Sequence, residues 1–394
     1  MVKPFQFARL PLIYFGIGKI SDLASIVRRF GKSVLLVTGE KSFFESPHAK
    51  SLLNQFDKQY INYQHVPIKS EPSPDLIDET VQRFADEKIN AVISIGGGSV
   101  IDSGKAISAM LYKSSLVREY LEVIGKKDHP GTKVPFIAIP TTSGTGSEAT
   151  KNAVLSKIGK DGFKRSLRHD NLVPDIALID PGLTVSCPPD ITAAAGMDCF
   201  TQLVEAYLSA KSNEYTDALA TEGFKAVKRS LLRCFTNGED IDARSDMSFA
   251  ALTSGICLAN AGLGAVHGLA GTIGSMFDIP HGVVCGTLMA VGNEMNVREL
   301  RKTSRDHPAL KKYAVLGRIF SQKEGASDDY YIDSFIDILL KYTEQLKLPR
   351  LGKYGIRGND ISLICSQTDI KNNPVKLSGD HLAEIIASRL QERP

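Results

Sequence analysis

At 394 residues the chain is long enough for two domains with complete cores. Its 47 basic and 44 acidic side chains are spread evenly and leave a net charge of +3. With no basic block and no basic–aromatic interleaving, that balance excludes the electrostatic footprint of a nucleic-acid-binding protein. A charged content of 23% and a hydrophobic content of 43% are those of a soluble globular protein. Six scattered cysteines without a CxxC pair read as reduced thiols rather than a disulfide scaffold or zinc knuckle. The N-terminal MVKPFQFARLPLIYFGIGK lacks a small-residue cleavage site, so no signal peptide is read and the cytoplasm is the expected compartment.

Residues from about 10 to 185 alternate strand and helix signals. Lys32–Gly39 (KSVLLVTG), Ile89–Gly98, Val134–Thr142 and Asp175–Pro181 are short apolar runs ended by Gly, Thr or Pro. Between the first two, Asp75–Lys88 places Leu76, Ile77, Val81, Phe84 and Ala85 at helical spacing. Continuous apolar strands separated by amphipathic helices predict a parallel sheet covered on both faces.

After Pro181 the strand signals stop. Helices are predicted over roughly 190–210, 213–236, 243–260, 263–276, 282–298, 309–322 and 328–346, with another after Ser378. The expected fold is therefore an α/β nucleotide-binding domain (residues 1–185) followed by an all-helical domain (186–394), divided near the DPGLTVSCPPDIT segment. From Met247 to Phe277 no Asp, Glu, Lys or Arg occurs, a length that could span a bilayer. Its Gly, Ala, Ser and Thr content, together with Asn260 and His267, instead predicts a helix pair buried in a protein core.

Gly96, Gly97 and Gly98 follow a predicted strand, and Ser99 opens a helix that also carries Asp102. Glycines let a backbone approach a pyrophosphate, and free amides at a helix start attract its charge. The run is GGGS rather than GxGxxG, and a tight turn is the plain alternative. Thr141, Thr142 and Thr145 in TTSGTGSE offer hydroxyls and amides after the next strand, as a nucleotide-binding loop or as a solvated one. Gly39 ends the first strong strand, where an acid often holds the adenosine ribose. Glycine there leaves room for a 2′-phosphate that Lys41 could neutralise, while Glu40 argues against one, so NADP(H) is slightly favoured over NAD(H).

His267 and His281 lie fourteen residues apart in GAVHGLAGTIGSMFDIPHGV, and Asp198 and Gln202 stand one helical turn apart in GMDCFTQLVEAYLS. Two imidazoles and a carboxylate in a Gly/Ala-rich setting suggest a site for a divalent transition metal. Each residue also has a bland reading: a core histidine, an exposed turn, a helix-start carboxylate. The remaining histidines, His48, His65, His129, His169, His307 and His381, sit among polar residues and are read as surface.

Taken in order, GGGSVIDSGKAI, PTTSGTGSE, Asp180–Pro181, LTVSCPPDITAAAGMDCFTQLVEAY, HGLAGTIGSMFDIPHG and NPVKLSGDHLAEII resemble the iron-containing (group III) alcohol dehydrogenase family. The resemblance covers nearly the whole chain. It implies a nucleotide-binding domain facing a helical domain, with cofactor and metal meeting in the cleft. The family's four metal-ligand positions fall on Asp198, Gln202, His267 and His281, the second being Gln where the family usually has His. A further histidine, common in the family one turn after the first histidine ligand, is Gly271 here. Lys164, in FKRSLRHDNLVP, is read either as a contact to cofactor phosphates or ribose or, equally, as a surface lysine.

The implied activity is hydride transfer between NAD(P)(H) and a small alcohol or aldehyde at Fe²⁺ or Zn²⁺, in a homodimer or larger homo-oligomer. Two alternatives stand beside it. One is a metal-free reductase of a polar ketone or oxo-acid on the same scaffold. The other is a nucleotide-binding relative that has lost catalysis.

Overall fold

The computed structural model describes residues 2, 4–159 and 162–391. The first half contains β1 (Leu12–Phe15), α1 (Leu23–Arg28), β2 (Ser33–Gly39), α2 (Pro47–Lys58), β3 (Asn62–Ile68), α3 (Pro74–Arg83), β4 (Ala91–Gly96), α4 (Gly98–Met110), β5 (Phe136–Pro140), β6 (Asn152–Lys157), β7 (Phe163–Arg168) and β8 (Ile176–Ile179). Among the described residues, six strands form a sheet in the order β1-β8-β5-β4-β2-β3, and every pairing within it is parallel. The apolar runs divide between the two faces by strand alternation. Leu35, Val37, Val92 and Phe136 meet Ile77 of α3 and Ile101 of α4. Val34, Leu36, Ile93 and Ile137 meet Val27 of α1 and Phe56 of α2 on the other side. A sheet buried on both faces leaves the edges of its strands, above all their C-terminal ends, to bind ligands.

The chain leaves β2 for β3 on one side and then crosses back, so that β4 pairs with the opposite edge of β2. That reversal opens a crevice beyond Gly39 and Gly96. Helix α3 begins with Pro74 behind Ser73, whose hydroxyl accepts from the Leu76 amide at 3.2 Å, a cap worth about 1 kcal/mol. The periodic pattern predicted helix as far as Lys88. The helix ends at Arg83 because Phe84 leaves helical dihedrals (φ −111°) and is buried in the core.

The second half is helical: α5 (Pro189–Leu208), α6 (Glu214–Thr236), α7 (Ile241–Ala261), α8 (Ala265–Met276), α9 (His281–Thr303), α10 (Pro308–Phe320), α11 (Asp328–Gln345), α12 (Ile361–Gln367) and α13 (Gly379–Ser388). Phe200 of α5, Phe224 of α6 and Phe335 of α11 centre one core, while α8, α9, α12 and α13 enclose a second. The uncharged stretch becomes α7 and α8, bent by 99° at Gly262 (φ +69°), a left-handed backbone conformation that glycine adopts without strain. No single helix among the described residues is long and apolar enough to cross a membrane.

Two findings correct the sequence expectations. Four strands were legible, whereas β1, β3 and the β6–β7 antiparallel hairpin were not. The six histidines read as surface are not exposed: His129 is buried and the other five are half-buried. The His129 ring donates through Nε2 to the Ala109 carbonyl at 3.2 Å and accepts from the Gly131 amide at 3.1 Å. Its loop folds back over α4, so polar neighbours in sequence did not mean solvent.

Candidate active site

The glycine run forms the end of β4 and the start of α4. The α4 N-cap is Gly97, and among the described residues no side chain caps it, so its first amides are free for an anion. A Cβ on Gly98 would lie 2.6 Å from Thr145 Cγ2, and one on Gly97 would lie 3.5 Å from Thr142 Oγ1. The two predicted phosphate loops therefore stand against each other, and glycine is what permits the approach. Gly39 closes the same crevice at the end of β2, followed by the exposed Lys41 and by Glu40, which pairs with Lys69 at 3.2 Å.

Asp102 points away from this cradle: its Oδ2 accepts from the Val154 amide of β6 at 2.9 Å. One turn on, Lys105 is wholly buried, and its ammonium reaches the carbonyls of Ser147, Thr150 and Asn152 at 2.7–2.9 Å. Burial pushes its pKa down to about 8. Burial also pushes the neighbouring Glu148 carboxyl up to about 7. Lys164, on β7, lies 3.2 Å from Glu71 Oε2, and Glu71 Oε1 accepts from Ser99 Oγ at 3.0 Å. Burial opposes ionisation of Glu71, but the Lys164 ammonium and the Ser99 hydroxyl outweigh it and hold the carboxyl below its usual range.

Behind the cradle stands the helical half. A Cβ on Gly144 would meet Ala195 of α5 at 2.9 Å, and one on Gly146 would meet Gly255 of α7 at 2.5 Å. The loop that holds Gly144 and Gly146 is thus wedged onto two helices of the other half, one of which carries Asp198.

Asp198, His267 and His281 converge from α5, the first turn of α8 and the first residue of α9. His267 Nε2 lies 3.2 Å and His281 Nε2 3.7 Å from Asp198 Oδ1. Cys285, one turn into α9, joins them, and one ligand atom from each of the four lies within 4.8 Å of all the others. Gln202 is buried one turn from Asp198, with its Oε1 accepting from Ser254 Oγ at 2.9 Å. Gly271 lies on α8 with nothing among the described residues within 4 Å of an added Cβ, so open space stands where a side chain could project.

Sequence reasoning missed Glu205 and Cys285. Glu205 Oε2 lies 2.7 Å from His267 Nδ1, while its Oε1 accepts from the Val266 amide at 2.7 Å, so one carboxylate both orients the ring and serves the start of α8. The available signal was spacing: Glu205 lies seven residues after Asp198, nearly two turns, and Cys285 four after His281.

This donor set suits a cation. With Nδ1–H donating to Glu205, the neutral His267 ring turns its Nε2 lone pair on the Asp198 oxygen, and two acceptors face each other unless positive charge lies between them. Burial disfavours a charged His267, yet its contacts with Cys285, Asp198 and Glu205 outweigh it and raise its pKa well above the imidazole range, so without an ion a proton fills the place between Nε2 and Asp198 that a cation would take. Burial pushes His281 down to about 4, leaving a neutral ring suited to ligation. Burial opposes ionisation of Asp198 too, but both imidazoles hold its carboxyl below the usual value.

Residues 11–181 match the family described as iron-containing alcohol dehydrogenase, and residues 192–390 match the C-terminal domain of the Fe-containing alcohol dehydrogenase family. The chain belongs to the iron-containing alcohol dehydrogenase family. Alcohol dehydrogenase 4 of Saccharomyces cerevisiae is 30% identical over 386 residues, 95% of this chain and 96% of the yeast enzyme. Long-chain-alcohol dehydrogenase 1 of Geobacillus thermodenitrificans is 35% identical over 273 residues, 69% of this chain and 68% of that protein. The crystal structure of a 1,3-propanediol oxidoreductase superposes with a TM-score of 0.88 at 25% identity, covering 98% of this chain and 100% of the other. As a member of the iron-containing alcohol dehydrogenases, the chain is an oxidoreductase acting on CH–OH groups.

Proposed function

We propose that this chain interconverts a small alcohol and its aldehyde by hydride exchange with NAD(P)(H), using Fe²⁺ or Zn²⁺ held by Asp198, His267 and His281. The observation that carries the reading is the convergence of those three side chains, with His267 anchored by Glu205. When bound, the cation supplies Lewis acidity toward the substrate oxygen and the nicotinamide supplies or accepts the hydride.

The chain's own residues bind and orient. The free amides of Gly98 and Ser99, beside Gly96 and Gly97, receive the pyrophosphate, with the hydroxyls of Thr141, Thr142 and Thr145 alongside. Asp102 serves this loop indirectly, by fixing β6 through Val154. Lys164 leaves Glu71 to contact ribose or phosphate. Gln202 occupies the family's second ligand position, with one lone pair of its amide oxygen engaged by Ser254. The open space at Gly271 leaves proton movement to cofactor hydroxyls or water.

Gly39 leaves room for a 2′-phosphate, and Lys69 pairs with Glu40, an acid that would otherwise repel it, which supports NADP(H) over NAD(H). The two domains divide at residue 185, where strands give way to α5. The six free thiols support a reducing compartment, the cytoplasm.

The test is oxidation of NADPH and NADH with a panel of aldehydes, on chelator-stripped protein and again after Fe²⁺ or Zn²⁺ is restored. Turnover that returns only with metal is expected. Equal turnover without metal refutes the Lewis-acid role and leaves the metal-free reductase.

A further inference from the structure

The family pattern supplies three of its usual ligands here and a carboxamide for the fourth. Gln202 is a weak donor, and its oxygen lies 2.9 Å from Ser254 Oγ, whose one proton it shares with the Ala251 carbonyl at 2.8 Å. A different side chain completes the cluster. Cys285 is fully enclosed on α9, and its Sγ lies 3.6 Å from His267 Nε2 and 3.6 Å from His281 Nε2.

Those separations can be compared with what a metal ion requires. Zn–S and Zn–N bonds of about 2.3 and 2.05 Å, at the tetrahedral angle, place sulfur about 3.6 Å from nitrogen. Zn–N and Zn–O bonds of similar length place nitrogen about 3.4 Å from oxygen. The two imidazole–carboxylate separations, 3.2 and 3.7 Å, straddle that value. Four of the six edges of the tetrahedron that these donors define thus have lengths a metal ion requires, all four atoms lie within 4.8 Å of one another, and all come from helix positions.

Resting on the metal-dependent reading above, we propose that Cys285 is a protein ligand to the ion, as a thiolate that takes the coordination place of the imidazole missing at Gln202. The thiol proton leaves to solvent as the ion enters, as it does whenever a metal binds cysteine. Sulfur is the softest donor of the set, so the site selects Zn²⁺ over Fe²⁺ more strongly than a set of carboxylate and imidazoles alone. Asp198, His267, His281 and Cys285 would hold the ion, and a zinc site that expands to five-coordination would still admit a substrate oxygen beside four protein donors.

Cobalt(II) reports the ligand directly. Chelator-stripped wild-type protein loaded with one equivalent of Co²⁺ is expected to show a thiolate-to-cobalt charge-transfer band in the near ultraviolet. The band should vanish in Cys285→Ser and persist in Cys257→Ser, a buried thiol whose Sγ contacts the Thr216 carbonyl on α6 instead. Competition with a chromophoric chelator should show Zn²⁺ affinity falling on the order of a hundredfold in Cys285→Ser, at or beyond the upper end of the loss typical for an outer-shell partner. Stoichiometric cobalt binding without the band, or a band that survives Cys285→Ser, overturns the thiolate while leaving the metal enzyme intact. Failure of wild-type protein to bind either ion overturns both readings. The wild-type spectrum needs no variant to fold, so the outcome holds even where Cys285→Ser is unstable.

Discussion

Replacing Glu205 by Gln tests whether the site is supported as the geometry implies. The carboxylate accepts the Val266 amide at 2.7 Å and lies 2.7 Å from His267 Nδ1. Glutamine keeps the volume and one acceptor, so the cap on α8 survives in part. Its amide group then either turns its NH₂ on the imidazole N–H or gives up the Val266 contact. The first choice frees the ring or reverses its tautomer, the second keeps the Nδ1–H bond at the expense of α8, and both remove the negative charge that makes His267 a better donor. Loss of such an outer-shell partner costs roughly 10–100-fold in metal affinity, or about 1.4–2.7 kcal/mol. The cap lost at α8 costs about 0.5–2 kcal/mol of stability. Chelator competition for Zn²⁺ at fixed pH, run beside urea melts of the metal-stripped proteins, separates the two. Unchanged affinity in a variant of unchanged stability would refute the role assigned to Glu205.

Other outcomes follow from individual contacts. Gly271→Ala should leave the fold unharmed or add about 0.5–1 kcal/mol, whereas Gly268→Ala meets the Asp369 carbonyl at 2.8 Å and should destabilise; urea titration reads both. Gly98→Ala drives a methyl against Thr145 and should raise the KM for the dinucleotide about tenfold, ~1.4 kcal/mol, with the melting temperature little changed. Lys105→Met removes the buried ammonium shared by the Ser147, Thr150 and Asn152 carbonyls and should cost about 3 kcal/mol. Because burial raises Glu148 to about 7 in the folded chain, the native state holds more protons than the unfolded one between pH 4.5 and 7. Stability should therefore fall as pH rises through that window, by at most about 1.4 kcal/mol per pH unit for this one proton. Glu148→Gln should flatten that slope in pH-dependent melts.

The strands that were legible, β2, β4, β5 and β8, are those buried on both faces, where an unbroken apolar run is the physical requirement. Edge strand β3 reads NYQHVPI, half-exposed and interrupted by Pro67, and β1 is four residues long. The β6–β7 hairpin lies off the main sheet and mixes Lys, Arg and Ser with its apolar positions. None offers a periodic signal strong enough to separate strand from loop. The helical half was easier, because twelve or more residues of pattern distinguish a helix from chance. The short α12, seven residues, was missed for the same reason. At the site, the order of the motifs singled out Asp198, His267 and His281. Glu205 and Cys285 were hidden because a carboxylate and a thiol on helices gain meaning only when α5, α8 and α9 cross at one point.

Helix α8 ties the two halves of the chemistry together. His267 and Gly274 are seven residues apart on it, close to two turns, so they share a face about 10 Å apart along the axis. A Cβ on Gly274 would lie 3.7 Å from the Lys164 ammonium. The helix is therefore a ruler between the imidazole at one end and the lysine at the other, with its graduation set by backbone hydrogen bonds. Inserting one residue between them would rotate the far end by about 100° and lengthen the span by about 1.5 Å. Loops around this cleft can change length without that penalty; the distance a ligand has to bridge between His267 and Lys164 cannot.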